Sequence, residues 1–127
     1  MHMKKTTNEV CERIKLLLEK NNMPVFKRLA DKSAMYPHIV FDLENLLLEN
    51  DLSCRHDYEL IIDLYFLKNS VACNDAADEV IELLNEKFDE GTSIVSTFYF
   101  ESMNAIEDEN KDINHIQIKF TVQTYIK

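Results

Sequence analysis

Between Ile113 and Tyr125 the sequence alternates with a period of two. Ile116, Ile118, Phe120 and Val122 fall on one parity, while His115, Gln117, Lys119, Thr121 and Gln123 fall on the other. An extended strand with one buried and one wet face accounts for this pattern, because successive side chains leave a strand on opposite faces. Ile94 to Ser102 alternates similarly, and the polar, acidic stretch from Met103 to Asp112 separates the two segments. Together they predict a long β-hairpin with a charged tip. A hairpin alone is marginal in water, so the rest of the chain must supply strands and helices that cover its apolar face.

The upstream sequence contains such elements. Thr6-Thr-Asn-Glu9 has the form of a capping box, and Val10, Cys11, Ile14, Leu17 and Leu18 recur at helical spacing until Asn21, Asn22 and Pro24 stop the run. This predicts a first helix over roughly 7–20. Val25 to Leu29 reads as a short extended stretch. A second strand follows Tyr36-Pro37, with Ile39, Phe41 and Leu43 facing inward and His38, Val40, Asp42 and Glu44 outward. A third, from Tyr58 to Phe66, alternates Leu60, Ile62, Leu64 and Phe66 with Glu59, Ile61, Asp63 and Tyr65. The segment 45–57 between them fits either strand extensions or a loop, and Cys54-Arg-His-Asp57 within it reads as a polar loop. A second helix is expected over roughly 75–89, capped by Asn74 or Asp75, with Val80, Ile81, Leu84 and Phe88 on one stripe and Gly91 ending it. The order is α-β-β-β-α-β-β. That order indicates an α+β fold, a mostly antiparallel sheet with two packed helices, in a single domain over 1–127.

Composition removes several function classes. A net charge of −9 disfavours binding to phosphate backbones, which depends on Lys and Arg displacing counterions, so DNA is not expected as a specific ligand, while the same charge would suit a surface that DNA slides past as passing cargo. With one glycine, Gly91, the chain contains no G-x-G-x-x-G or G-x-x-x-x-G-K phosphate loop. Cys11, Cys54 and Cys73 are odd in number and far apart, which argues against a disulfide framework and a structural zinc site. No apolar run approaches the ~20 residues of a membrane span, and the first residues lack a signal peptide's apolar stretch, so a soluble intracellular protein without a membrane partner is expected.

The candidate chemical groups have plainer readings. Cys54-Arg-His-Asp57 clusters a thiol, an imidazole and a carboxylate, but a nucleophile, its base and an orienting group normally converge from distant segments. Asp42, Glu44, Glu59 and Asp63 all occupy the polar parity of their strands, as expected of a solvated or subunit-facing sheet surface. Asp108 to Asp112 resembles a calcium loop only superficially, because it lacks the glycine and the bidentate glutamate such loops use. No catalytic residue, cofactor or metal is expected.

Tyr36-Pro-His-Ile-Val-Phe-Asp-Leu-Glu44, Tyr58-Glu-Leu-Ile-Ile-Asp-Leu-Tyr-Phe66, Ala77-Asp-Glu-Val-Ile-Glu-Leu-Leu84 and Phe120-Thr-Val-Gln-Thr-Tyr125 occur in an order that resembles the tail terminator, or tail completion, proteins of long-tailed bacteriophages and prophages. The resemblance runs from about residue 8 to the end. It implies a non-enzymatic ring, usually a hexamer, that caps the tail tube, ends its polymerisation and meets the head connector. Its partners would be other copies of itself, the tail tube protein and the head-tail connector protein. Its place would be the virion tail, and the bacterial host cytoplasm during assembly. Another head-tail joining or minor tail component, or an acidic protein-binding module, are the alternative readings. Contacts are assigned to the tip residues Glu107, Asp108, Glu109, Asn110, Lys111 and Asp112 and to Asp51, Arg55 and His56, because both segments interrupt strands with mixed polar and apolar residues.

Overall fold

A computed structural model of the chain describes residues 3–46, 55–68 and 72–127. Helix α1 (Met3–Leu18) leads through a 3-10 turn (Glu19–Asn21) into β1 (Val25–Lys27), β2 (His38–Leu46) and β3 (Arg55–Leu67). Helix α2 (Cys73–Leu84) and strands β4 (Phe88–Glu90), β5 (Ile94–Ile106) and β6 (Ile113–Ile126) follow. Among the described residues one sheet contains six strands in the order β1-β2-β3-β6-β5-β4, and only the β1–β2 pair is parallel. The expected α+β class and element order hold, with short β4 as an added strand.

The apolar stripe of α1 is as predicted: Val10, Cys11, Ile14, Leu17 and Leu18 are all buried. Its start is not. The helix begins at Met3, so Thr6-Thr-Asn-Glu9 lies inside it and no capping box forms. Those side chains bond instead across the fold. Thr7 Oγ1 and the Tyr58 hydroxyl are 3.0 Å apart, and the Glu9 carboxylate accepts hydrogen bonds from the Ser93 N–H at 3.0 Å and the Ser93 hydroxyl at 2.5 Å. Asn22, left-handed with φ of 58°, closes the segment as Asn21-Asn22 predicted, its N–H bonding to the Glu19 carbonyl.

Helix α2 begins two residues earlier than expected and ends after Leu84. Ala72 occupies the N-cap without a side-chain bond, so neither Asn74 nor Asp75 caps it. Glu86, at φ 61°, turns the chain away, and strand pairing then captures it. The Glu86 N–H bonds to the Phe98 carbonyl, the Phe98 N–H to the Lys87 carbonyl, and the Asn85 side chain accepts the Phe100 N–H at 3.0 Å. Phe88 therefore sits in β4, 64% exposed, and not on the helical stripe. Gly91 ends no helix; it lies in the β4–β5 turn, where a Cβ would come within 2.6 Å of Glu9 Oε2.

The Ser93 hydroxyl, by hydrogen bonding, holds the Glu9 carboxyl below its ordinary pKa against a weaker opposing effect of burial. A lowered pKa stabilises the ionised form, so this contribution is present above the unfolded-state value and fades as pH falls through the folded one. Ser93→Ala is expected to lower stability by less than about 1 kcal/mol, because the bond is solvent-exposed. Urea unfolding at pH 7 should register the loss, and the difference from the parent should vanish in acid.

The core fills the helix-covered face, where Phe41, Tyr58, Leu60, Ile62, Leu64, Phe98, Ile118, Phe120 and Val122 are almost wholly buried. Ile116, Ile118, Phe120 and Val122 point into it as their parity requires. The hairpin is longer than its alternation indicated. β5 continues to Ile106, passing an irregularity at Glu101 that shifts its register against β6 and hides the period of two, so the tip is 107–112 and not 103–112. Arg55, His56 and Asp57 are strand, not polar loop, and Asn45 and Leu46 extend β2. Residues 47–54, including Cys54 and Asp51, lie outside the described residues.

Candidate assembly surface

The sheet face opposite the helices carries the mostly polar parity of β2, β3 and β6, and register turns it into ordered rows. His38, Tyr65 and His115 lie directly opposite one another on β2, β3 and β6. Their rings stack, with centroids 5.1 Å apart for His38–Tyr65 and 4.3 Å for Tyr65–His115, while Phe26 and Tyr36 flank His38 at 5.9 and 5.0 Å. This cover explains why His38 and Val40 are buried although they belong to the parity expected to face outward. Asp63 Oδ1 ties the row to its neighbour, lying 2.6 Å from His115 Nε2 and accepting from Gln117 Nε2 at 3.0 Å. Burial pushes the His38 imidazole below its usual pKa, outweighing the bond to the Met35 carbonyl, and burial raises the Tyr65 phenol. Both are neutral at pH 7. The row is a continuous stack of rings across β2, β3 and β6.

The remaining carboxylates of this face lie on β2 and β3. Asp42 lies 3.5 Å from Arg28 Nε in an exposed ion pair, and Glu44 stands opposite Glu59 across the β2–β3 ladder. Cys11 and Cys73 are buried, and burial raises both thiols, which makes them weak nucleophiles.

The tip uses much of its hydrogen-bonding capacity on itself. Asp108 Oδ1 accepts the Asn110 N–H and Asn110 Oδ1 accepts the Asp112 N–H, both at 2.9 Å, while Lys111 Nζ reaches Glu107 at 2.7 Å. Asp108 also lies 4.0 Å from His115 Nδ1. Glu109 is exposed. Below the tip, a cleft of about 550 Å³ opens between Ile106, Lys111 and His115 and the start of α2 at Cys73 and Asn74.

The predicted contact residues do not form one patch. Arg55 and His56 pair with Tyr125 and Thr124, at the far end of the ladder from the tip, roughly 40 Å away at a strand's rise per residue. Arg55 donates two hydrogen bonds to the Asp57 carboxylate, at 3.0 and 2.9 Å, with its guanidinium 5.7 Å from the centre of the Tyr125 ring. His56 points into the core side and is buried. Asp51 falls outside the described residues.

Strand order determines which strands form the sheet edges. β1 and β4 are three residues each, so they cover only parts of β2 and β5. Asn85 closes the β4–β5 ladder at Phe100. From Glu101 to Ile106 the outer side of β5 has no strand partner among the described residues. Phe100, Met103 and Ile106 are exposed along it. At the opposite edge, Leu29 and Met35 stand 82% and 77% exposed beside β1. A break of period at Glu101 and isolated apolar residues in a polar segment were the available signals, and neither identifies an edge without the strand order.

No protein-family model and no curated protein sequence matches this chain. Among solved structures, 26 chains match it in fold. One is a chain of the virion of a native gene transfer agent particle, with a TM-score of 0.69 at 12% identity, covering 94% of this chain and 97% of that one. At that identity the likeness is one of fold.

Proposed function

We propose that the protein is a structural component of a phage or prophage particle, and specifically a tail terminator: a ring, built from copies of this chain, that caps the tail tube, ends its polymerisation and joins it to the head connector. The observation that carries the reading is the fold likeness, over nearly the whole of both chains, to a chain of an assembled virion particle. The motif order over Tyr36–Glu44, Tyr58–Phe66 and the terminal hairpin, which resembles that of tail terminator proteins, supports the more specific reading. Two partly uncovered sheet edges suit a protein that completes itself by assembly, since free edges invite strand pairing. A net charge of −9 suits a ring through which DNA passes without sticking. In this reading the chain performs no catalysis, holds no cofactor, and works in the virion tail after assembly in the bacterial host cytoplasm.

The test is polymerisation of the tail tube protein with and without the purified chain. Tubes of limited length, with the chain at one end, are expected. Tubes that grow unchecked and carry no bound chain would refute the assignment. The tip offers a second measurement. Because Ile106 pairs with His115, replacing 107–112 by Asn-Gly removes the tip, keeps every β5–β6 pair and leaves a four-residue loop, Asn-Gly followed by Ile113 and Asn114. Stability should change by about 1 kcal/mol or less, since exposed polar loops bury little, whereas binding to tube or connector should fall at least about tenfold. Unchanged binding would remove the tip from the contact surface.

A further inference from the structure

At the tip end of the sheet the two edges are opposite in charge and alike in exposing apolar side chains. One edge is β1 with the segment 28–37, where Leu29 and Met35 stand among Lys27, Arg28 and Lys32. Asp31 and Asp42 lie there too and reduce the positive charge without reversing it. The other edge is β5 beyond Asn85, where Phe100 and Met103 project beside Glu101. Helix α2, which packs on β5 and β6, carries exposed Asp78, Glu79 and Glu82, and Lys111 beside Ile106 reduces the negative charge on this side without reversing it. β2, β3 and β6 lie between the edges, so the two surfaces face away from each other and cannot meet within one chain.

We infer that they meet between chains: a second copy docks its β1 edge, with Leu29 and Met35, on the β5 edge of the first, against Phe100 and Met103. Complementary charge selects that pairing over the two self-pairings, because acidic edge against acidic edge and basic against basic are repulsive. The backbone N–H and C=O groups of β5 between Glu101 and Ile106 supply hydrogen bonds for the incoming strand, as in other strand additions. Contact between unlike surfaces is heterologous. Each added copy keeps one free edge of each kind, and the series closes into a ring when the rotation per copy permits. This inference rests on the ring reading above and supplies its subunit contact.

Cysteine cross-linking tests it, using Leu29→Cys and Met103→Cys in a Cys54→Ser background. Both replaced side chains are exposed, so the unfolding midpoint should stay unchanged and confirm folding. Mixing the two single variants under oxidising conditions, alone and with tail tube protein, should give a covalent dimer. The variant carrying both cysteines should give a ladder of trimers and larger species. Arg28→Glu should weaken self-association on the order of tenfold, and Glu101→Arg on the facing copy should restore it. Rings seen by native mass spectrometry without cross-link or charge effect would overturn this interface and leave the ring reading standing. Cross-links only between like positions would overturn it in favour of a two-fold contact. A chain that stays monomeric alone and on the tube would refute the ring reading and the interface with it.

Discussion

Phe120→Ala is expected to lower stability by about 3–5 kcal/mol, a large share of the 5–15 kcal/mol typical of a domain. Phe120 is fully buried at the middle of β6, opposite Leu60 on β3 and Phe100 on β5. Its ring meets Phe100 edge to face at 5.8 Å. Truncation removes transfer energy and leaves a cavity that two flanking ladders, hydrogen-bonded on both sides, cannot collapse to fill. Phe100 also loses its ring contact, so the β5 edge should lose order and subunit association should weaken along with stability. Chemical denaturation followed by circular dichroism gives the number. A loss under about 1.5 kcal/mol would mean that the site relaxes, and that Phe120 does not anchor the sheet as its burial indicates.

The second large effect is expected at the clasp between α1 and β4. Arg13 donates two hydrogen bonds to Asp89, both at 2.9 Å; the Asp89 side chain is 6% exposed and the Arg13 side chain 33%. The hydrogen bond and charge of Asp89 raise the pKa of Arg13, the direction expected of a cation stabilised by its partner. Arg13→Met leaves Asp89 charged, buried and without that cation. Breaking a fully buried pair costs about 3–5 kcal/mol, and the partial exposure of Arg13 places this case near 2–3 kcal/mol. The double replacement Arg13→Met with Asp89→Leu should recover much of the loss, because no uncompensated charge remains. A double variant no more stable than Arg13→Met would locate the loss in packing of the arginine stem and not in the stranded carboxylate.

Where sequence and structure diverge, a long-range contact overrode a local signal. The capping box at Thr6-Thr-Asn-Glu9 was a valid local pattern, but Tyr58 and Ser93, 51 and 84 residues away, take its side chains. The stripe Val80, Ile81, Leu84, Phe88 kept its helical period one turn too far, because pairing with Phe98 captured the backbone after Leu84. The alternation of β2 marks His38 and Val40 as wet, yet cross-strand stacking of His38 on Tyr65 dries part of that face. The tip residues Glu107 to Asp112 were legible as a tip from composition alone. Arg55 and His56 resemble loop in the sequence because three polar residues in a row hide the fact that they continue the alternation of β3.

Periodicity and charge were written in the sequence. The parity of Ile116, Ile118, Phe120 and Val122 determined which face of β6 is buried, and the apolar stripe of α1 determined how it packs, since both depend only on backbone repeat and side-chain polarity. Strand order was decided in three dimensions. β3 and β6 are neighbours although α2, β4 and β5 intervene in the chain, because their matched apolar parities and length give the fullest ladder at the centre of the sheet. That choice also fixes which strands become edges. The basic β1 edge and the acidic, partly uncovered β5 edge are therefore properties of topology, which no local pattern encodes.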